Sequence, residues 1–191
     1  MPDLQALRDD YRLKKAALLQ SVQGGGASTR GIHSVLQKLA RQAATTLLAL
    51  WHLAEFSDRF ALVAVGGFGR GELFPASDID VVLLLPDDVN PDVDPALKLQ
   101  IEAFIGSCWD TGLEIGSSVR TLSDCLAEAA KDVTVQTALL ESRRIAGSRA
   151  LLAEFEQRFH AALDPMAFFV AKTLELRQRH TKFENTPYAL E

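Results

Sequence analysis

Two short apolar runs joined by a glycine-rich loop constrain the fold of this chain most strongly. The runs are residues 61–65, which end at Gly66 and Gly67, and residues 79–85, which a proline closes. Short runs of Val, Leu and Ala bounded by Gly or Pro are typical of buried β-strands. We therefore expect two strands here, with residues 66–78 between them forming a loop and one short helical turn.

Helical patterns precede these strands. Apolar residues recur at helical spacing over residues 4–22 and again over 29–56, which predicts two helices. Residues 23–28 contain three consecutive glycines and break the pattern, so they form a flexible joint or a helix-to-helix loop. The helices carry no recognisable chemistry, and we interpret them as packing elements or a partner surface.

The pattern after the second strand predicts a third strand and more helices. A polar loop leads into a helix at residues 96–109, and residues 113–119 alternate between apolar and small or polar side chains as a strand does. Thr121 then starts a helix, with Asp124 three residues on as an approximate capping box. From residue 133 onward the pattern is helical, with interruptions at a glycine and at a proline.

These elements predict one small α/β (α+β) core between helical flanks. We divide the chain into an N-terminal helical segment at residues 1–56, a core at 57–130 and a helical extension at 131–191. Three strands make a small mixed sheet, with N-terminal and C-terminal helices around it. A doubly wound dinucleotide-binding fold needs more strands than this core provides.

The charge balance bears on the class of partner. Twenty Lys and Arg residues against 25 Asp and Glu residues leave a formal charge of −5. Proteins that bind DNA or RNA neutralise the backbone phosphates with an excess of basic residues. We therefore expect no nucleic-acid partner.

The cysteines and the hydropathy pattern point to a cytoplasmic protein. Cys108 and Cys125 form no metal-binding pattern, and two buried free thiols fit a reducing compartment. The N-terminus has no signal-peptide core, and the longest apolar run is far too short to cross a bilayer. We therefore expect no membrane contact.

The acidic pair Asp78 and Asp80 stands at the start of the second strand. Alternate residues of a strand point to the same face, so the two carboxylates are expected side by side. Two such anions repel unless a cation lies between them. Mg²⁺ prefers oxygen ligands of this kind, and Mn²⁺ is an alternative. The pair therefore predicts a metal site, although a strand that merely begins in solvent could carry the same residues.

The loop before this pair has the composition of a phosphate-binding turn. Gly66 and Gly67 allow the backbone to approach a phosphate closely, and Arg70 adds a fixed positive charge. The GK[ST] ending of a Walker loop is absent, and Glu72 stands where a Rossmann loop needs its third glycine. A glycine turn joined to a two-carboxylate strand is a different and more specific combination.

A third carboxylate would complete a two-metal site for in-line displacement at phosphorus. Glu114 is our candidate, with Gly116, Ser118 and Arg120 on the same face of the third strand by alternation. The small residues leave room for a ligand, and Arg120 could meet a triphosphate. The alternative interpretation of Glu114 is a charge on an edge strand.

These motifs resemble a known superfamily. The run LVAVGGFGRGEL, followed by Pro75, Ser77 and the Asp-Ile-Asp of residues 78–80, resembles the DNA polymerase β-like nucleotidyltransferase superfamily. Within this superfamily, the motif GGFGRGEL-P-SDID is similar to that of the bacterial PII uridylyltransferase/uridylyl-removing enzyme family. The segments LEIGSSVRTLSDCL, VTVQTALLESRRIAG and RQRHTKFENTPYALE extend the resemblance over residues 57–191.

The resemblance implies roles for the glycine loop. It implies that Gly66 and Gly67 hold the nucleotide phosphates. We place Arg70, Ser77 and Arg120 with them in the candidate nucleotide-binding set. The expected fold is the small mixed sheet of the polymerase β-like type.

The resemblance also implies a metal-dependent activity. It implies that Asp78 and Asp80 are metal ligands and that Glu114 is the third acidic position, where the superfamily often has Asp. The implied reaction, part of nitrogen regulation, moves UMP from UTP to a tyrosine of the PII signalling protein and releases pyrophosphate. Family members continue into an HD-type hydrolase domain and two ACT domains, so the resemblance implies that this chain is a fragment.

Two alternatives remain open at this point. One is adenylyl transfer to another acceptor, since nothing in the sequence identifies the base. The other is a regulatory module that binds a nucleotide without turning it over. The intact pair of Asp78 and Asp80 disfavours the second, because loss of a carboxylate is the simplest route to an inactive module.

Overall fold

A computed structural model of the chain describes residues 3–23 and 29–182, so most of the glycine-rich joint and the end of the segment RQRHTKFENTPYALE lie outside the described residues. The described helices are α1 Leu4–Gln23, α2 Thr29–Ala54, α3 Gly66–Gly69, α4 Pro95–Thr111, α5 Leu122–Lys131, α6 Val133–Leu140, α7 Arg149–Ala162 and α8 Pro165–Lys182. The described strands are β1 Ala61–Ala64, β2 Ile79–Leu85, β3 Ile115–Thr121 and β4 Arg143–Gly147.

The strands form one mixed sheet in the order β3-β2-β1-β4. β1 runs antiparallel to both β2 and β4, whereas β2 and β3 are parallel. Helices cover both faces of this sheet. The predicted small α/β class with a mixed sheet is therefore confirmed.

The prediction of three strands was wrong, because β4 lies where we expected helix. Residues 143–147 read Arg-Arg-Ile-Ala-Gly and contain a single β-branched residue, so they lack the composition typical of a strand. They become one because the edge of β1 offers unpaired backbone groups, to which β4 pairs from Ala61–Gly147 to Ala64–Arg143. The fourth strand thus depends on a distant partner rather than on its own pattern.

Alternation along β2 divides the interior into two apolar clusters. Ile79, Val81 and Leu83 belong to the cluster formed with α1, α2 and α4. Val82 and Leu84 belong to the cluster formed with α5, α6 and α7. Burying each such side chain stabilises the fold by about 1.5–3 kcal/mol. Two residues before Val82, Asp80 stands at the start of the same face.

Two smaller predictions are confirmed. Thr121 Oγ1 accepts a hydrogen bond from the amide of Asp124, and Asp124 Oδ2 accepts one from the amide of Thr121, so the capping box of α5 is complete. Cys108 and Cys125 are buried free thiols, one in each apolar cluster. Separately, none of the helices in the described ranges has the length and apolar character needed to cross a membrane.

Candidate active site

The glycine loop forms a tight turn at the end of β1. Gly66 has a φ of 57°, in the left-handed region, and opens the short helix α3. Gly69 closes α3, where a Cβ would lie 1.7 Å from the carbonyl oxygen of Glu141. The turn therefore needs glycine at one position for its backbone conformation and at the other for close packing.

The two aspartates flank the start of β2, next to this turn. Asp80 lies on β2 opposite Gly116 of β3, and Asp78 lies one residue before β2. A Cβ at Gly116 would be 2.7 Å from Oδ1 of Asp80 and 4.0 Å from Cβ of Asp78. A Cβ at Gly66 would be 3.9 Å from Oδ2 of Asp80. The Asp80 carboxylate therefore has a glycine backbone beside each of its oxygens.

The electrostatics of the pair suit a cation. Partial burial raises the pKa of Asp80, and the negative charge of Asp78 raises it further. A bound cation would relieve both effects, because it compensates the charge that burial and repulsion penalise. No described set of three or more His, Cys, Asp or Glu side chains is grouped closely enough to bind one metal. Two carboxylates still fit Mg²⁺, which commonly takes one or two of them together with substrate phosphates.

Glu114 lies immediately before β3. Its carbonyl oxygen accepts a hydrogen bond of 2.8 Å from the amide of Ile79, so its backbone runs beside the acidic pair. The Glu114 side chain is exposed. Its charge also reaches Tyr11 of α1, whose pKa is raised to about 12, first by burial and second by Glu114. The role of Glu114 as a third ligand stays a prediction.

Arg70 is held by two carboxylates at the end of the turn. It forms ion pairs with Glu141 and with Glu72, the latter over 3.6 Å between Nε and Oε2. A Cβ at Gly67 would be 3.7 Å from Nη2 of Arg70, so the guanidinium also lies against the glycine turn. A phosphate at the turn would compete with both glutamates for Arg70.

Ser77 and Arg120 occupy different surroundings. Ser77 is exposed just before Asp78, and its amide donates to the carbonyl of Phe74 over 3.2 Å. Arg120 pairs in register with Leu84 and is four residues beyond Gly116, which is roughly 13 Å along a strand. It lines a cavity of about 600 Å³ at the opposite end of β3. The nucleotide-binding roles of both residues stay predictions.

Arg143 is a residue of the site that sequence reasoning missed. Its Nε donates to the carbonyl of Gly69 over 3.0 Å, and its Nη2 donates to the carbonyl of Phe68 over 2.8 Å. The guanidinium also lies 5.4 Å from the ring centroid of Phe68. These contacts fix the C-terminal end of α3, whose carbonyls favour a nearby positive charge. Burial lowers the pKa of Arg143.

The available signal for Arg143 was the segment LLESRRIAG, which carried part of the resemblance but no assigned chemistry. The same segment supplies Glu141, which pairs with Arg70 and packs its carbonyl against Gly69. Glu141 and Arg143 of this segment thus both support the glycine turn, from positions more than seventy residues away in sequence.

Several known proteins are similar to this chain in sequence. Residues 14–114 match the family described as "Putative nucleotidyltransferase DUF294", a span that contains the glycine turn, the acidic pair and Glu114. Three relatives, each named bifunctional uridylyltransferase/uridylyl-removing enzyme, come from Burkholderia vietnamiensis, Burkholderia lata and Burkholderia thailandensis. They are 50%, 50% and 49% identical over 191, 190 and 190 residues.

These matches cover 100% of this chain and 21% of each relative, so the chain spans about a fifth of the length of the curated relatives it matches. The family match covers more than half of the chain and includes both the glycine turn and the acidic pair. The chain therefore belongs to the DUF294 nucleotidyltransferase family.

Proposed function

We propose that this chain transfers UMP from UTP to a tyrosine hydroxyl of the PII signalling protein and releases pyrophosphate. The observation that carries the proposal is the position of the Asp80 carboxylate between Gly66 and Gly116, with Asp78 also next to Gly116. The names of the relatives support uridylyl transfer in particular. Their length beyond this chain leaves the whole protein's other activities outside this proposal.

The glycine turn would bind the phosphates of the nucleotide. The backbone at Gly66 and Gly67 would receive the phosphates at the start of α3, where amide groups have no carbonyl partner in the helix. Arg143 holds the other end of α3, so the turn is fixed before the nucleotide binds. Such positioning is a large share of catalysis in phosphoryl chemistry.

Asp78 and Asp80 would hold Mg²⁺ or Mn²⁺, with Glu114 as the proposed third acidic group. When bound, the ion would neutralise charge on the phosphates and help to orient them. The bond that forms joins the tyrosine oxygen to the α-phosphorus, and the bond that breaks joins this phosphorus to the pyrophosphate oxygen. The hydroxyl proton passes to solvent or to one of the carboxylates.

The test is a transfer assay with purified components. The chain is incubated with PII protein, Mg²⁺ and UTP labelled at the α-phosphate, and label on PII and released pyrophosphate are both measured. We expect equal amounts of the two products, and neither with EDTA or with Asp80→Asn. Parallel reactions with labelled ATP examine the identity of the base.

Two results would contradict the proposal. Binding of UTP without any pyrophosphate release would identify a nucleotide-binding module. Faster labelling from ATP than from UTP would identify adenylyl transfer. The Asp80→Asn control distinguishes either result from a contaminating activity, because a contaminant would be insensitive to that substitution.

A further inference from the structure

A cleft of about 540 Å³ lies between α2 and β4, next to the end of the glycine turn. Four arginines line it, and none of its lining residues is Asp or Glu. We call it the arginine cleft. Its arginines come from α2, from the turn after α3 and from β4, and are Arg41, Arg70, Arg143 and Arg144.

Three of these four charges have no carboxylate partner in the part of the chain that the structure describes. Arg143 donates to carbonyls of α3, and Arg144 donates through Nη1 to the carbonyl of Gly147 over 3.1 Å. Arg41 is exposed on α2, and no ion pair involves it among the described residues. Only Arg70 pairs with glutamates. A local excess of positive charge on a chain of net charge −5 attracts an anion to this face.

Besides the arginines, the cleft is lined by Gln37, Thr45 and Gly71 and by an apolar patch. The apolar patch consists of Ala40, Ala44, Leu48 and Ile145. A compact inorganic anion gains no binding free energy from apolar side chains. A peptide with carboxylates and apolar side chains gains binding free energy both from the arginines and from the apolar patch. Guanidinium groups also recognise carboxylates through paired hydrogen bonds. The lining therefore fits an acidic peptide segment better than free phosphate.

The arginine cleft adjoins the candidate active site through Arg70. This residue lines the cleft, and its Nη2 lies 3.7 Å from the Cβ position of Gly67. Gly66, which precedes Gly67, is the residue beside Oδ2 of Asp80. A segment bound in the cleft would thus continue toward the turn at which the nucleotide is expected.

We propose that the arginine cleft binds an acidic segment of the protein that accepts the nucleotide, an inference that rests on the proposed function. The segment would place carboxylates on Arg41 and Arg144 and apolar side chains against Leu48. Arg41 and Arg144 would then contribute to recognition of the acceptor and not to binding of the triphosphate, whereas Arg70 stands between the cleft and the nucleotide.

Steady-state kinetics test this assignment with the double variant Arg41→Gln/Arg144→Gln. The control is Lys38→Gln, which removes a positive charge from an exposed position on the same helix outside the cleft. We expect the KM for PII to rise about tenfold in the double variant. Charged contacts of this kind speed the association of two proteins and fix the orientation in which they bind. The kcat and the KM for UTP should stay unchanged, and the control should match the wild type.

The KM for PII should also rise with salt in the wild type and less so in the double variant, because salt screens these charges. A rise in the KM for UTP instead would show that the cleft serves the triphosphate and would overturn the proposal. An unchanged KM for PII would overturn it as well. Thermal melting of both variants establishes that they are folded.

A binding experiment separates this proposal from the proposed function. A fluorescent peptide with glutamates and leucines around a central tyrosine is titrated with the wild type and the double variant without nucleotide, and anisotropy is measured. We expect binding by the wild type, weaker binding by the variant, and none by a peptide with lysines in place of glutamates. Failure of the wild type to bind the acidic peptide would overturn the cleft assignment. Failure of UMP transfer with peptide binding intact would overturn the proposed function alone.

Discussion

Gly116 of β3 lies so close to Asp80 of β2 that a Cβ at residue 116 would be 2.7 Å from Oδ1 of the carboxylate. Real Cβ atoms do not approach an oxygen this closely, so Gly116→Ala must displace the Asp80 side chain. We expect this variant to lose nucleotidyl transfer by about a hundredfold, since a displacement near 1 Å in a catalytic group has effects of that order. Initial rates of pyrophosphate release measure it.

Gly106→Ala is the matched control for Gly116→Ala. Gly106 lies within α4, and a Cβ there would have no atom within 4 Å. This substitution should preserve activity and stabilise the fold by about 0.5–1 kcal/mol, because alanine is a better helix former than glycine. Equal activity in the two variants would show that the position of Asp80 does not matter to transfer.

The variants Asp78→Asn and Asp80→Asn should each abolish transfer while the fold remains intact. Each substitution keeps the size of the side chain and removes the charge that a metal ion requires. A lost metal ligand is expected to reduce the rate by about a thousandfold or more. Activity within about tenfold of the wild type, with an unchanged circular dichroism spectrum, would end the two-carboxylate proposal.

The proposed role of Glu114 as a third metal ligand can be tested by determining a structure with bound nucleotide and Mg²⁺. We expect its carboxylate within about 5 Å of the acidic pair, close enough to bind the ion directly or through one water. The Glu114→Gln variant should then bind Mg²⁺ more weakly, and its rate of nucleotidyl transfer should fall in parallel. A side chain that stays exposed and farther from the pair than this would show that the third ligand lies elsewhere.

Gly69→Ala should destabilise the fold severely. A Cβ at residue 69 would lie 1.7 Å from the backbone oxygen of Glu141, which cannot move without shifting the chain before β4. We expect a loss of about 3 kcal/mol or more in the free energy of unfolding, at the upper end of overpacking effects. Gly71→Ala is the comparison, since its φ of 82° is strained for alanine but no atom lies within 4 Å. It should cost about 1–2 kcal/mol, and urea melts of the two variants measure the difference.

The two thiols should resist modification in the native protein. Cys108 and Cys125 are 0% and 1% exposed, and burial raises the pKa of each to about 12. Thiolates react and thiols do not, so a disulfide reagent at mild alkaline pH should detect no thiol in the folded chain and both after unfolding. A thiol that reacts rapidly in the native state would contradict the packing of its helix.

The raised pKa of these thiols also has a consequence for stability. The folded state retains protons that the unfolded state releases above a pH of about 9, the ordinary thiol pKa. The free energy of unfolding should therefore fall as pH rises from there toward 12. Replacement of both cysteines by alanine should reduce this pH dependence.

The parts of the fold that could be predicted are those with a local signal. The bounds of β2 agree with the predicted residues 79–85 because a run of Val and Leu reports burial on both faces. The capping box of α5 agrees because its two partners are three residues apart. Same-face placement of Asp78 and Asp80 rests on the period of a strand, and it stays a prediction because Asp78 lies one residue before β2.

The rest depends on partners far away in sequence. Arg143 bonds carbonyls 74 and 75 residues earlier, and no periodicity links them. Alternation put Arg120 on the face that includes Gly116, but only the register of β3 against β2 shows that Arg120 lies at the opposite end of the strand from Asp80. The close approach of Gly116 to Asp80 follows from the same register.

The outer positions of β3 and β4 limit how far this chain can be shortened. The family match ends at residue 114, one residue before β3, yet β1 and β2 lie in the middle of the sheet. A polypeptide ending there would leave both strands with rows of unpaired amides and carbonyls, which recruit strands from other molecules. The smallest self-contained unit of the chain therefore reaches at least Gly147, and shorter pieces are expected to aggregate.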